Sequence, residues 1–122
     1  MAAEEQRSSP RINITLPAHF LSNRVGGDLA LASTINISAG GISLSCTEKL
    51  NAGQEIELQT ILPTTGEKLK LYSKIIWVRE LEASIPRIQE YRAGLKILDS
   101  AGKDELKFTQ FYTHQLNRGF RI

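Results

Sequence analysis

The chain is poor in the residue types that staple, ligate or anchor a protein: 122 residues hold one cysteine and two histidines. With Cys46 alone, no internal disulfide framework can form, and a reducing, cytoplasmic compartment fits best. His19 and His114 stand far apart and no second thiol accompanies Cys46, so no zinc-type ligand spacing occurs and neither a metal nor a cofactor is expected. No apolar run approaches the ~20 residues that span a bilayer, so no membrane insertion is expected. The start, Met1-Ala-Ala-Glu-Glu-Gln6, lacks the apolar stretch of a secretory signal. Charge of one sign is missing too: 15 Lys and Arg face 13 Asp and Glu, a net +2 too mild to argue for nucleic acid. Neither a P-loop, a G-x-G-x-x-G nor a G-x-S-x-G elbow is present. Carboxylates such as Glu55 and Glu57 fall at strand spacing on a solvated face instead of in a cleft. An enzyme is therefore not expected.

What the chain does have is strand periodicity. Its length fits one domain with one modest core. Ile12, Ile14 and Leu16 alternate with polar residues until Pro17 interrupts, which predicts an edge or bulged strand. A turn over Val25–Asp28 precedes a strand that puts Leu29, Leu31, Ile35 and Ile37 on one face. Ala39-Gly40-Gly41 breaks it. Further strands carry Ile42, Leu44 and Cys46, then Ile56 and Leu58, with Asn51-Ala-Gly53 turning between them. Pro63-Thr-Thr-Gly66 reads as a hairpin loop before a strand with Leu69, Leu71, Ile75 and Trp77 in phase, which predicts Trp77 in the core. Leu81 to Arg87 reads as a loop, and Tyr91, Ala93, Leu95 and Ile97 as the face of a last strand. The period then becomes helical through Phe108, Phe111, Tyr112 and Leu116, with Ser100 as N-cap and Gly119 as terminator. Six short antiparallel strands followed by one helix predict a mainly β fold, a small closed barrel or sandwich with the helix packed on it. Aromatics placed on core faces leave no stacking platform for single-stranded nucleic acid.

Two segments carry chemistry. Arg7-Ser-Ser-Pro-Arg11 is an extended or turned arm, because Pro10 disfavours helix before it. Its two guanidiniums suit phosphate oxygens and the O6/N7 edge of guanine, and they stack on a purine face. Asn36-Ile-Ser-Ala-Gly-Gly41 ends a strand on which Asn36 and Ser38 project together, opposite Ile37. That presents an amide and a hydroxyl side by side. Gly40 and Gly41 permit positive φ or a bulge and remove bulk, so backbone can meet a ligand. Taken singly, these segments read more readily as a solvated tail and a polar strand end.

Together they resemble the PilZ domain family, whose signature is R-x-x-x-R followed by [D/N]-x-S-x-x-G. Arg7 and Arg11 match the first motif; Asn36, Ser38 and Gly41 match the second. Ile75-Ile-Trp-Val78 and Tyr91-Arg-Ala-Gly-Leu-Lys-Ile97 are similar to the family's aromatic-bearing and glycine-bearing strands. The resemblance implies a six-stranded antiparallel β-barrel of split-barrel type with a C-terminal helix. Residues 1–11 would be a flexible arm and 12–122 the barrel with its helix. It also implies a receptor for cyclic di-GMP, with Arg7 and Arg11 on phosphate and guanine, Asn36 and Ser38 on a guanine edge or phosphate, and Gly41 beneath the ligand. The receptor would change conformation on binding and signal to a downstream protein, or to a second copy of itself as a homodimer. Two departures bear on this. Gln6 stands where many members have arginine, which leaves the ligand stoichiometry open, and Asn36 replaces the commoner aspartate. The alternative within the family is an adaptor of motility or pilus machinery that binds no nucleotide; such members usually lack the arginine pair.

Overall fold

A computed structural model of the chain describes residues 10–21, 29–85, 88–98 and 103–119. The elements in chain order are β1 (Ile12–Asn13), β2 (Pro17–Leu21), β3 (Leu29–Ile37), β4 (Gly41–Cys46), β5 (Glu55–Ile61), β6 (Lys68–Ile85), β7 (Ile88–Ile97) and α1 (Lys103–Gly119). The strands run β1-β3-β2-β5-β6-β7-β4, and a further β3–β4 pairing closes the ring. Strands β2 to β7 thus form a six-stranded barrel, antiparallel throughout, with β1 as an extra strand beside β3. Closure removes the free edges that an open sheet of this size would leave.

Alternating apolar residues fill the barrel. Phe20, Leu44, Leu58, Leu71 and Ile75 are fully buried at its centre. Helix α1 lays Phe108, Phe111 and Tyr112 onto this core, one stripe at helical spacing, and packs against β6. Two polar links fasten it. Asp104 accepts the backbone N–H of Lys70 at 2.8 Å, a donor beyond the reach of the β7 ladder. Lys107 pairs with Glu67 at 2.7 Å, which draws the Glu67 carboxyl below its ordinary range and lifts the Lys107 ammonium above its own. The two predicted glycine turns are present, with Gly53 at φ 92° and Gly66 at φ 76°, a region that strains any residue bearing a Cβ.

Several sequence expectations need correction. The interruption at Pro17 is not among them: β1 pairs with β3 alone, at the end of the strand order, and a bulge separates it from β2. The strand splits, and Pro17–Leu21 resumes as a barrel strand between β3 and β5. Ile12 faces Ile37 while Pro17 faces Ser33, so the β1–β2 side is one residue longer than β3. Thr34 fills that bulge: its hydroxyl accepts from the Leu16 N–H at 2.8 Å and donates to the Ile14 carbonyl at 2.7 Å. Proline is tolerated because it opens its strand, where no ladder N–H is required of it.

The phase of β3 also changes along its length. The register against β4 shifts between Thr34 and Asn36. Below this bulge at Ile35 the inward residues are Ala30, Ala32 and Thr34, and Leu31 is 79% exposed; beyond it Ile37 is buried as expected. A second bulge, at Ile76 of β6, moves Trp77 out of phase with Leu71 and Ile75. Trp77 is 36% exposed on the outer face and is not a core residue. The expected loop from Leu81 is strand as far as Ile85, because β6 and β7 go on pairing as a two-stranded ribbon past the end of β4. The turn at Val25–Asp28 and the N-cap at Ser100 lie outside the described residues.

Candidate functional site

The two bulges build one site. The bulge at Ile35 sets Asn36 directly opposite Ser43 on β4, and both side chains turn to the outer face. Arg11 crosses over them from the segment before β1. Its Nη1 donates to Asn36 Oδ1 at 3.3 Å and to Ser43 Oγ at 3.1 Å. Nη2 and Nε donate to no described residue. The arm base has a second hold: the Tyr112 hydroxyl of α1 donates to the Pro10 carbonyl at 2.5 Å.

Beyond Asn36 the chain turns sharply into β4. The Ser38 N–H donates to the Gly41 carbonyl at 2.9 Å, and the Ser38 hydroxyl leans on the same oxygen at 3.4 Å. Neither Gly40 nor Gly41 takes the positive φ that the sequence allowed. Space is tight at Gly41 instead: a Cβ there would lie 3.0 Å from the Leu95 carbonyl oxygen and 3.4 Å from Ser38 Oγ, so a neighbour would have to give by a few tenths of an ångström. At Gly40 a Cβ would meet nothing within 4 Å.

The bulge at Ile76 supplies the far wall. It places Trp77 opposite Gly94 on β7, and the indole lies across that glycine. The result is a cleft of roughly 210 Å³ in which Arg11, Asn36, Ser38 and Gly41 meet Trp77 and Gly94. Four of the five residues singled out from the sequence therefore line one concavity; Arg7 lies outside the described residues. Ser43 and Trp77 were missed as site residues. Ser43 carries no signal in the sequence beyond its place on a polar face. Trp77 escaped because strand alternation cannot foresee a bulge.

The lining is rich in donors and flat apolar surface. It holds a guanidinium, an amide, hydroxyls and an indole, and no carboxylate, histidine or thiol among the described residues. Such a set suits an anionic, planar, hydrogen-bonding ligand, and the described residues in it include no nucleophile–base pair.

Comparison with known proteins agrees with this geometry. The family model described as PilZ domain matches residues 5–113. No curated protein sequence matches the chain. Among solved structures, the PilZ domain of Escherichia coli YcgR with c-di-GMP superposes with a TM-score of 0.69 at 17% identity, covering 95% of each chain. The Bacillus subtilis inhibitor of motility MotI/DgrA gives 0.71 at 18% identity, covering 95% of this chain and 54% of that one. The MrkH–c-di-GMP complex of K. pneumonia gives 0.73 at 14% identity, covering 95% and 54%. The chain thus spans about half the length of the latter two proteins. At these identities the superpositions establish a shared fold. No helix among the described residues is long and apolar enough to cross a membrane.

Proposed function

The chain belongs to the PilZ domain family, and from that premise we propose that it is a cytoplasmic receptor for cyclic di-GMP that signals by a change of conformation and performs no catalysis. The observation that carries this reading is the convergence of Arg11, Asn36, Ser38 and Gly41 with Trp77 on one cleft. These residues come from three separate stretches of chain, and two bulges are needed to assemble them.

The chemistry of each group fits one guanine nucleotide end. Arg11 offers its remaining N–H donors to a phosphate oxygen or to guanine O6 and N7. Asn36 and Ser38 supply mixed donors and acceptors for the base edge. The indole of Trp77 gives a flat face for a purine to lie on. Gly41 keeps the floor low enough for close approach. Micromolar affinity requires about 8 kcal/mol, and one bidentate contact supplies only about 1–3 kcal/mol, so these contacts must act together. Arg7, four residues ahead of Arg11, would grip the ligand from the arm, and the closed arm would present a new surface to a partner protein.

Titration calorimetry of the full chain with cyclic di-GMP, and with cyclic di-AMP as control, tests the reading. The guanine ligand is expected to bind, and Arg11→Ala to weaken it at least about tenfold while the circular dichroism spectrum stays unchanged. Absence of heat and of any melting shift at millimolar cyclic di-GMP would refute it and leave the adaptor role.

A further inference from the structure

Along the outer face of the β6–β7 ladder the facing pairs are Lys74 with Lys96, Trp77 with Gly94, Arg79 with Arg92, and Leu81 with Glu90. The two rows that border the Trp77–Gly94 row are therefore both doubly cationic. Like charges directly opposite each other destabilise a sheet, so such rows call for an account. Lys74 has one nearby, since Glu55 of β5 faces it on its other side. Among the described residues the arginine row has none. Arg79 lies past the last residue that β5 pairs with, and Arg92 is flanked on β4 by Ser45. Glu90, diagonal to Arg79 beside Leu81, forms no ion pair with either arginine; among the described residues the salt bridge is that of Glu67 and Lys107. Both arginines are exposed. The guanidinium of Arg79 sits 5.8 Å from the centroid of the Trp77 ring, which ties this row to the wall of the cleft.

As lined by the described residues, the cleft is also too small to enclose a whole dinucleotide. Its roughly 210 Å³ falls short of the ~300–1,000 Å³ that encloses a small ligand. The remainder of a bound molecule must lie on neighbouring surface. One strand step of two residues, about 6.8 Å, leads from the Trp77–Gly94 row to the Arg79–Arg92 row.

We propose that Arg79 and Arg92 form a second anion subsite, which grips the phosphate of the cyclic dinucleotide that Arg11 does not hold. This rests on the receptor reading above and adds to it the residues that take the overhanging half of the ligand. In the free protein the two guanidiniums repel; a phosphate between them turns repulsion into two charge-assisted contacts. The subsite reads charge, not base identity, so it sets affinity and salt dependence while the cleft selects guanine.

Calorimetry with cyclic di-GMP on the wild type, R79Q, R92Q, the double variant R79Q/R92Q and the charge-matched control K68Q/K70Q decides the matter. The double variant is expected to bind at least about tenfold more weakly, with a flatter dependence of affinity on salt. The control, whose lysines sit near the other end of β6, is expected to stay within about twofold. The double variant is also expected to melt at or above the wild-type temperature, because the repelling pair is gone. Wild-type binding with an equally tight double variant would overturn this subsite alone. A double variant that melts lower would show that the arginines serve the fold, and would also overturn it. A wild type that fails to bind would sink the receptor reading, and the subsite with it.

Discussion

Gly94 is the residue on which the far wall of the cleft rests, and Gly94→Ala tests that. A Cβ built at Gly94 lies 2.1 Å from Trp77 Nε1, 2.4 Å from Cε2 and 2.8 Å from Cδ1. Comfortable contact begins near about 3.5 Å, so the methyl and the indole cannot share the space. Gly94 sits mid-strand, paired with both Ser43 and Trp77, so its backbone has little freedom to retreat. The indole, already 36% exposed, is the part that can move. Swinging it off the glycine uncovers on the order of 100 Å², about 2.5 kcal/mol at ~25 cal/mol per Å². A loss of that size lowers the melting temperature by roughly 5–10 °C in a domain of this length. The same swing removes the face on which guanine would stack, about 1–3 kcal/mol of binding, or roughly 5- to 150-fold in Kd. Trp77 is the only tryptophan in the chain, so its fluorescence reports the displacement directly. The variant is expected to show red-shifted emission, a lower melt and a smaller response to cyclic di-GMP. Gly40→Ala is the control, since a Cβ there meets nothing and the φ is not positive. Wild-type emission and wild-type affinity in Gly94→Ala would refute the idea that the glycine seats the indole.

Thr34→Val keeps the shape of a buried side chain but removes the hydroxyl that serves Leu16 N–H and Ile14 C=O. A loss of about 1–3 kcal/mol is expected in chemical denaturation, and a midpoint like the wild type's would show that the bulge does not depend on this hydroxyl. Cys46 is 6% exposed, and burial pushes its thiol above the ordinary range. Disulfide-reagent labelling at pH 8 is therefore expected to run on the order of a hundredfold slower than a model thiol, limited by local opening. The linkage has a definite sign: the native state holds the proton more tightly. The thiol's contribution is therefore complete below the unfolded pKa of about 8.5 and declines as pH rises above it. Labelling as fast as a free thiol would place Cys46 at the surface.

Much of the fold was legible because strands β4, β5 and β7 carry no bulge of their own, so their main apolar residues keep one phase. Ile42, Leu44 and Cys46, Ile56 and Leu58, and Ala93 and Leu95 are buried as their spacing requires. Sequence reading failed wherever a single extra residue entered a strand. At Ile35 and Ile76 the apolar side chains continue a pattern that the backbone has already abandoned, and the phase reverses with no local sign in the sequence. These are also the places where the candidate site is made. Without the first bulge, Asn36 would follow Thr34 into the barrel, and Ser43 would lose its partner. Without the second, Trp77 would be the core residue its spacing predicts, and the cleft would have no far wall. The polar motif could be singled out because its residue types, together with the arginine pair, match a family signature. The aromatic wall could not, because its role depends on register.

The arm and the helix complete the physical picture. Tyr112 is 3% exposed, inside the apolar stripe of α1, yet its hydroxyl ends on the Pro10 carbonyl, 102 positions earlier in the chain. Arg11, the next residue, is held by Asn36 and Ser43. The last element of the fold and the polar strand end thus fix adjacent residues at the base of the arm. Any ligand that draws Arg11 off Asn36 and Ser43 pulls against the anchor at Tyr112, whose ring is locked in the helix–barrel contact. A displacement of Arg11 would in this way be felt at α1, whose outward side, Leu106 at 62% exposure included, faces solvent. One tyrosine hydroxyl thus connects α1 to the residue that precedes Arg11 at the edge of the cleft.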